Sequence, residues 1–218
     1  REKNADFAFQ NISALKRWTD YLQQRGFDPG NQLCTDDFAG HLSHNANLSV
    51  KAILGIASYS IICGMLGRRE EQERYIAVAG DMASRWVEAA RGGDHYKLTF
   101  DGAEGWSLKY NMVWDTLFGL DLFGSDVRDD EIRYYKKMQN RYGVPLDSRR
   151  KYTKVDWILW SAAMADKRED FADLIDPVWD FVDETPSRVP FTDWYDTVSG
   201  EQVGFQHRSV IGGLFIKL

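Results

Sequence analysis

Two cysteines in 218 residues are too few for a disulfide framework, and Cys34 with Cys63 allows either one bridge or two buried thiols without naming a redox compartment. A basic surplus is missing as well. The net charge is −6 with Lys and Arg scattered among Asp and Glu, which removes the electrostatic footprint that phosphate-backbone binding needs, so no nucleic acid partner is expected. No apolar run reaches the roughly 18 residues that cross a bilayer. The longest, 53–66, is broken by Ser58, Ser60 and two glycines, and a soluble domain with no membrane span is expected. Neither a signal peptide nor a transit peptide is visible at the start, and Arg1 is not an initiator Met; this reads as a processed or excised piece of a longer chain. Extended periodicity is confined to Tyr96–Phe100, inside a loop, and no repeat shows at the level of sequence.

What is present is helical. A hydrophobic content of 44% is enough for a substantial core, and we read 1–218 as one domain. Apolar residues recur three and four apart in eight segments, 10–26, 48–66, 70–91, 108–120, 128–141, 155–165, 168–184 and 207–217, with Gly, Pro and Asp clusters between them. The second, fourth, sixth and eighth are apolar almost all round and should be buried; the others carry one apolar stripe and one charged face. Links from an apolar to an amphipathic segment are short, which implies antiparallel neighbours. The opposite links, 27–47, 92–107, 142–154 and 185–206, are long. The expected fold is therefore all-α: an (α/α) helical-hairpin toroid or partial toroid of about eight helices, with an inner ring starting near 48, 108, 155 and 207, an outer ring, and every long loop at one rim.

These loops hold most of the candidate chemistry. The first places Asp36, Asp37, His41, His44, Asn45 and Asn47 just ahead of a buried helix, where free N–H groups and the helix dipole favour an anion. A catalytic acid or base with polar ligands is one reading; caps from Asn47 and Ser49 with loop-tying acids is the structural alternative. The His-x-x-His spacing of His41 and His44 is too loose a signal for zinc, and neither a metal nor a cofactor is expected. The second loop leads into Trp106, Tyr110, Asn111, Trp114 and Asp115, where a carboxylate among aromatics is either a general acid of raised pKa or a surface acid beside core rings. Asp156 opens an apolar helix carrying Trp157 and Trp160, as a catalytic group or as a dipole partner. Ser148 and Lys151 match a Ser-x-x-Lys nucleophile motif but lack the helix start that it requires. The fourth loop sets Asp193, Trp194, Tyr195 and Asp196 before Gln206 and Arg208, stacking surfaces beside groups that suit a small polar ligand.

Four stretches, TDDFAGHLSHNANLS from Thr35, KYNMVWD from Lys109, DWILW from Asp156 and VPFTDWYDT from Val189, resemble the glutaminase A family, and the likeness runs nearly end to end. The resemblance implies hydrolysis of L-glutamine to glutamate and ammonia, a secreted or periplasmic multidomain protein, and a chain forming the C-terminal part of a six-hairpin domain packed against N-terminal domains. No catalytic assignment comes with it. The acids we select are Asp37, Asp115, Asp156 and Asp193, expected to meet in one cleft walled by Trp157 and Trp194 and to drive attack of water. Asp36, His41, His44, Asn45, Asn47, Trp106, Tyr110, Asn111, Tyr195, Gln206 and Arg208 are the candidate substrate contacts. Cys34 stands as an alternative nucleophile. A six-hairpin glycoside hydrolase, with two carboxylates roughly 6.5 to 9.5 Å apart, and a non-catalytic binding module remain the other readings.

Overall fold

The structure is a computed structural model that describes residues 4–33, 37–102 and 104–218; of Asp37 it describes the backbone. Its elements are α1 (Asp6–Arg25), α2 (Ala46–Met65), α3 (Arg69–Ala90), α4 (Val113–Phe118), α5 (Ser125–Met138), β1 (Tyr152–Lys154), α6 (Val155–Ala162), α7 (Arg168–Glu184) and β2 (Trp194–Asp196), with 3-10 turns at Asp37–Ala39, Tyr110–Met112 and Ser209–Phe215.

The hairpin of α2 and α3 shows how the pattern becomes structure. The side chain of Asn45, rather than Asn47 or Ser49, caps α2 by accepting from Leu48 N at 2.8 Å, which satisfies one of the amides that open a helix. Ala46, Val50, Ile53, Ile56, Ala57, Ser60 and Cys63 then recur at helical spacing and are buried. At 20 residues α2 is long and apolar enough to cross a bilayer, unlike the shorter run marked in the sequence, but more than half of it is buried inside the protein. The partner α3 buries Tyr75, Ala79, Met82, Ala83, Trp86 and Ala90 along one stripe and leaves its charged face to water. Full burial of a side chain as large as Trp86 or Tyr75 contributes about 2–3 kcal/mol. The Trp86 indole N–H, which would otherwise be stranded, donates to Ala46 O at 2.9 Å. Gly67 adopts φ 71 between the two helices, a conformation that favours glycine.

The inner elements pack in chain order: α2 on the turn at 110–112, that turn on α6, and α6 on the turn at 209–215. The hairpin architecture and its alternation of buried and striped helices are as the periodicity implied. Three expectations change. The fourth segment is a 3-10 turn followed by six residues of α-helix, stopped where Gly119 takes φ 63. The eighth is 3-10 throughout, 209–215, with no buried residue, because Gly212 and Gly213 weaken an α-helix and a Cβ at Gly213 would lie 2.9 Å from the Trp160 indole nitrogen. Tyr96–Phe100 makes only isolated bridges, to Arg91, Trp106 and Asn45, and the one sheet among the described residues pairs β1 with β2.

A buried polar network fastens α5 to the loop before α4. Lys109 Nζ donates to Tyr96 O and Ser107 O, each at 2.9 Å, and lies 3.8 Å from Glu131 Oε2. Glu131 also accepts from Tyr96 N at 2.8 Å and from the Tyr135 hydroxyl. Burial pushes the Glu131 carboxyl up and the Lys109 ammonium down, so the network owes its place to its hydrogen bonds rather than to free ionisation.

Candidate functional site

The antiparallel register of β1 and β2 pairs Lys154 with Trp194 and Tyr152 with Asp196, and Val155 N donates to Asp193 O at 3.0 Å. Residues alternate faces along a strand. Lys154, Tyr152 and Trp194 accordingly share one side of the ribbon, the Tyr152 and Trp194 rings 5.4 Å apart, while Tyr195 points the other way and stacks on Phe181 at 3.5 Å in the core. Asp193 sits one residue before Trp194, and Asp156 lies in the first turn of α6, two residues after Lys154.

These placements bring two acids onto one ammonium. Lys154 Nζ is 2.5 Å from Asp193 Oδ2 and 3.3 Å from Asp156 Oδ1, so those two oxygens are at most 5.8 Å apart, the sum of the two contacts. All three side chains are buried. Burial pushes the Asp156 carboxyl above the usual carboxylate range, Lys154 pulls it down, and the neighbouring charge of Asp193 adds to the rise. Among the described residues both Asp193 oxygens and Asp156 Oδ1 lack a geometrically good hydrogen bond, and the contacts of Asp193 Oδ2 and Asp156 Oδ1 with Lys154 are ionic. The Trp194 and Trp160 indole nitrogens, Thr153 Oγ1 and Ser161 Oγ are also buried here without a hydrogen-bond partner among the described residues.

Aromatic rings enclose the group. Lys154 Nζ lies 4.8 Å from the Trp157 ring centroid and 6.0 Å from that of Phe205. Phe38, from the first long loop, rests on Trp194 at 4.4 Å and within 5.9 Å of Trp157 and Phe205. The first and fourth long loops therefore meet at one end of the domain, as the alternation of link lengths implied. Tyr110, in the turn at 110–112, lies flat on Trp157 at 4.3 Å and belongs to the same cluster. The Arg208 guanidinium covers Phe205 at 4.0 Å and has no carboxylate partner among the described residues.

Of the four acids selected from the sequence, Asp156 and Asp193 converge. Asp115 does not join them: it is buried, and its two oxygens accept Leu122 N and Phe123 N, both at 3.0 Å, pinning the loop after α4. The Asp37 side chain, Asp36 and Cys34 lie outside the described residues. His44 is a clamp between loops, with Nδ1 2.7 Å from Asp28 and Nε2 3.9 Å from Asp101. His41 is exposed and bridges Leu33 through its backbone. Asn47 and Asn111 bond each other at 3.2 Å in the core, and Asn45 serves as the cap. Trp106 packs on Tyr134 and Tyr135, Tyr195 is core, and Gln206 is exposed with its backbone bridged to Thr192, so none of these three faces the acid pair. Lys154 was not among the residues selected. Its signal was the run from Tyr152 to Trp160, in which a lysine stands among apolar residues directly before a buried helix.

The description "Glutaminase A six helical-hairpin domain" matches residues 1–218. Glutaminase A of Aspergillus oryzae is 35% identical over 227 aligned residues, which take in 100% of this chain and 32% of that protein. A protein of Arthroderma benhamiae named "Probable glutaminase" is 30% identical over 232 residues, covering 92% of this chain and 27% of its own. The chain thus spans about a third or less of the length of these relatives.

Proposed function

Because the chain belongs to the glutaminase A six helical-hairpin family, we propose that it carries the acid–base pair with which the full-length protein hydrolyses the side-chain amide of L-glutamine to glutamate and ammonia. The pair is Asp156 and Asp193. One takes a proton from water as the water oxygen bonds to the amide carbon, and the other gives a proton to the departing nitrogen. A single observation carries this reading: every buried carboxylate oxygen without a hydrogen bond among the described residues belongs to these two acids. Structural acids such as Asp115, Glu131 and Asp147 have their oxygens filled. Among the described residues Asp193 Oδ2 and Asp156 Oδ1 meet only the Lys154 ammonium, an ionic contact that leaves hydrogen-bonding capacity for a substrate.

Asp193 is fully buried, so substrate reaches it only when its cover moves. Phe38, on the three-residue turn of the first long loop, packs on Trp194 and beside Trp157 at this site. The remainder of the longer protein packs on the exposed stripe of Phe7, Trp18 and Tyr21 along α1.

The test is ammonia from glutamine measured beside reducing sugar from an oligosaccharide panel, both with full-length protein. Ammonia without sugar is expected. Sugar without ammonia would overturn the reading and assign the acids to a glycosidic bond, for which a gap below 6 Å resembles the roughly 5–5.5 Å of retaining enzymes rather than the inverting spacing.

A further inference from the structure

We propose that Lys154 is the positioning residue that gives the two acids unlike tasks, Asp193 taking the proton of the attacking water and Asp156 delivering one to the leaving ammonia. This rests on the amide-hydrolysis reading above. An ammonium can only donate, so it holds best the oxygen that carries negative charge. Its two contacts are unequal, 2.5 Å to Asp193 and 3.3 Å to Asp156. Lys154 ends β1 opposite Trp194, and the bond from Val155 N to Asp193 O holds the fourth loop against the start of α6. The two carboxyl groups and the ammonium form one coupled cluster, in which a single proton can rest on either acid. The shorter contact sets the ammonium against Asp193, while burial pushes the Asp156 carboxyl up. The Trp157 and Phe205 rings near Lys154 leave its charge little water to screen it.

The proton balance closes. Water bonds to the amide carbon as its proton passes to Asp193, the C–N bond breaks with its electron pair on nitrogen, and nitrogen takes the Asp156 proton. Transfer of one proton from Asp193 back to Asp156 restores the starting state, and the net reaction consumes one water per ammonia. Lys154 exchanges no proton at any step. It sets where the single proton rests between turnovers.

The experiment uses full-length protein with glutamine and with γ-glutamyl p-nitroanilide, whose weakly basic leaving group has less need of an acid. Asp156→Asn and Asp193→Asn should each lose about 100-fold or more on glutamine, while on the anilide Asp156→Asn recovers roughly tenfold or more and Asp193→Asn does not. Lys154→Met should shift the acidic limb of the pH–kcat profile up by about one unit, because the base loses its cation, and Lys154→Arg should leave the limb in place. A purely structural lysine would lower kcat without moving the limb. If neither aspartate variant slows ammonia release, the amide-hydrolysis reading falls and takes this inference with it. If both slow it but the anilide spares Asp193→Asn instead, or Lys154→Met folds and leaves the limb unmoved, the inference alone is wrong. Should Lys154→Met not fold by circular dichroism, the leaving-group comparison decides.

Discussion

Asp115 and Asp193 illustrate what separates a structural acid from a candidate catalytic one. Both are buried aspartates near the start of an inner element or in the loop before it. Asp115 accepts two backbone amides at 3.0 Å; Asp193 meets one ammonium and has no hydrogen bond among the described residues. Replacing Asp115 with Ala strands both amides, so Asp115→Ala should cost about 2–4 kcal/mol in urea denaturation of the domain. A loss under about 0.5 kcal/mol would contradict the pinning role. Sequence could not rank these acids, because chain position alone fits a helix-opening acid of either kind. Asp156 and Asp193 stand beside Trp157 and Trp194, but Asp115 beside Trp114 fits the same local pattern. Lys154 was illegible for a physical reason: lysine is almost never fully buried, and only the pairing of two three-residue strands places acids from separate loops around it.

Elements were legible in proportion to their length. Helices α2, α3, α5 and α7 run 14 to 22 residues, long enough for apolar spacing to show, and they lie close to where periodicity put them. The short pieces, β1, β2 and the 3-10 turns, take their shape from neighbours and escaped notice. Side chains also complete helices from outside: Pro177 has no N–H for Asp173 O, and Gln139 Nε2 donates to that carbonyl at 3.1 Å. Glu131 on α5 closes the Lys109 network, so Glu131→Ala should cost about 3–5 kcal/mol by leaving a buried ammonium without its acid, measured as a lower urea midpoint. A midpoint unchanged from the parent would show that the network contributes nothing. At the entry to α2 the His44 ring is held by Asp28, whose hydrogen bond raises the imidazole above its ordinary 6.5. A raised histidine stabilises fully below its unfolded value and loses that contribution as pH rises through its folded value. Thermal stability should therefore fall slightly from about pH 6 to 8, and His44→Gln should flatten that slope; an unaltered slope would exclude the clamp.

In chain order the described helices form three hairpins, α2 with α3, α4 with α5 and α6 with α7, flanked by α1 and the 3-10 turn at 209–215, whereas a closed ring of six hairpins needs twelve helices. At this scale, aromatic rings left in water are informative: Phe7 is 79% exposed, Trp18 64% and Tyr21 54%, on one stripe of α1. If the longer protein covers this stripe, the isolated chain should bind an apolar dye there, and Phe7→Ser with Trp18→Ser should reduce that binding without loss of helicity. Equal dye binding by the variant would place the sticky surface elsewhere. The meeting of the first and fourth long loops was legible from link lengths, but the packing of Phe38 on Trp194 joins distant loops and left no local trace. The measurement that bears most directly on the whole account compares ammonia release by full-length Asp193→Asn and Asp115→Asn, both checked for folding. The account predicts a loss of about 100-fold or more in kcat for Asp193→Asn and no more than a few-fold change for Asp115→Asn. A folded Asp193→Asn protein that keeps parental kcat, or an Asp115→Asn protein that folds and loses it, would contradict the placement of the chemistry at Lys154, Asp156 and Asp193.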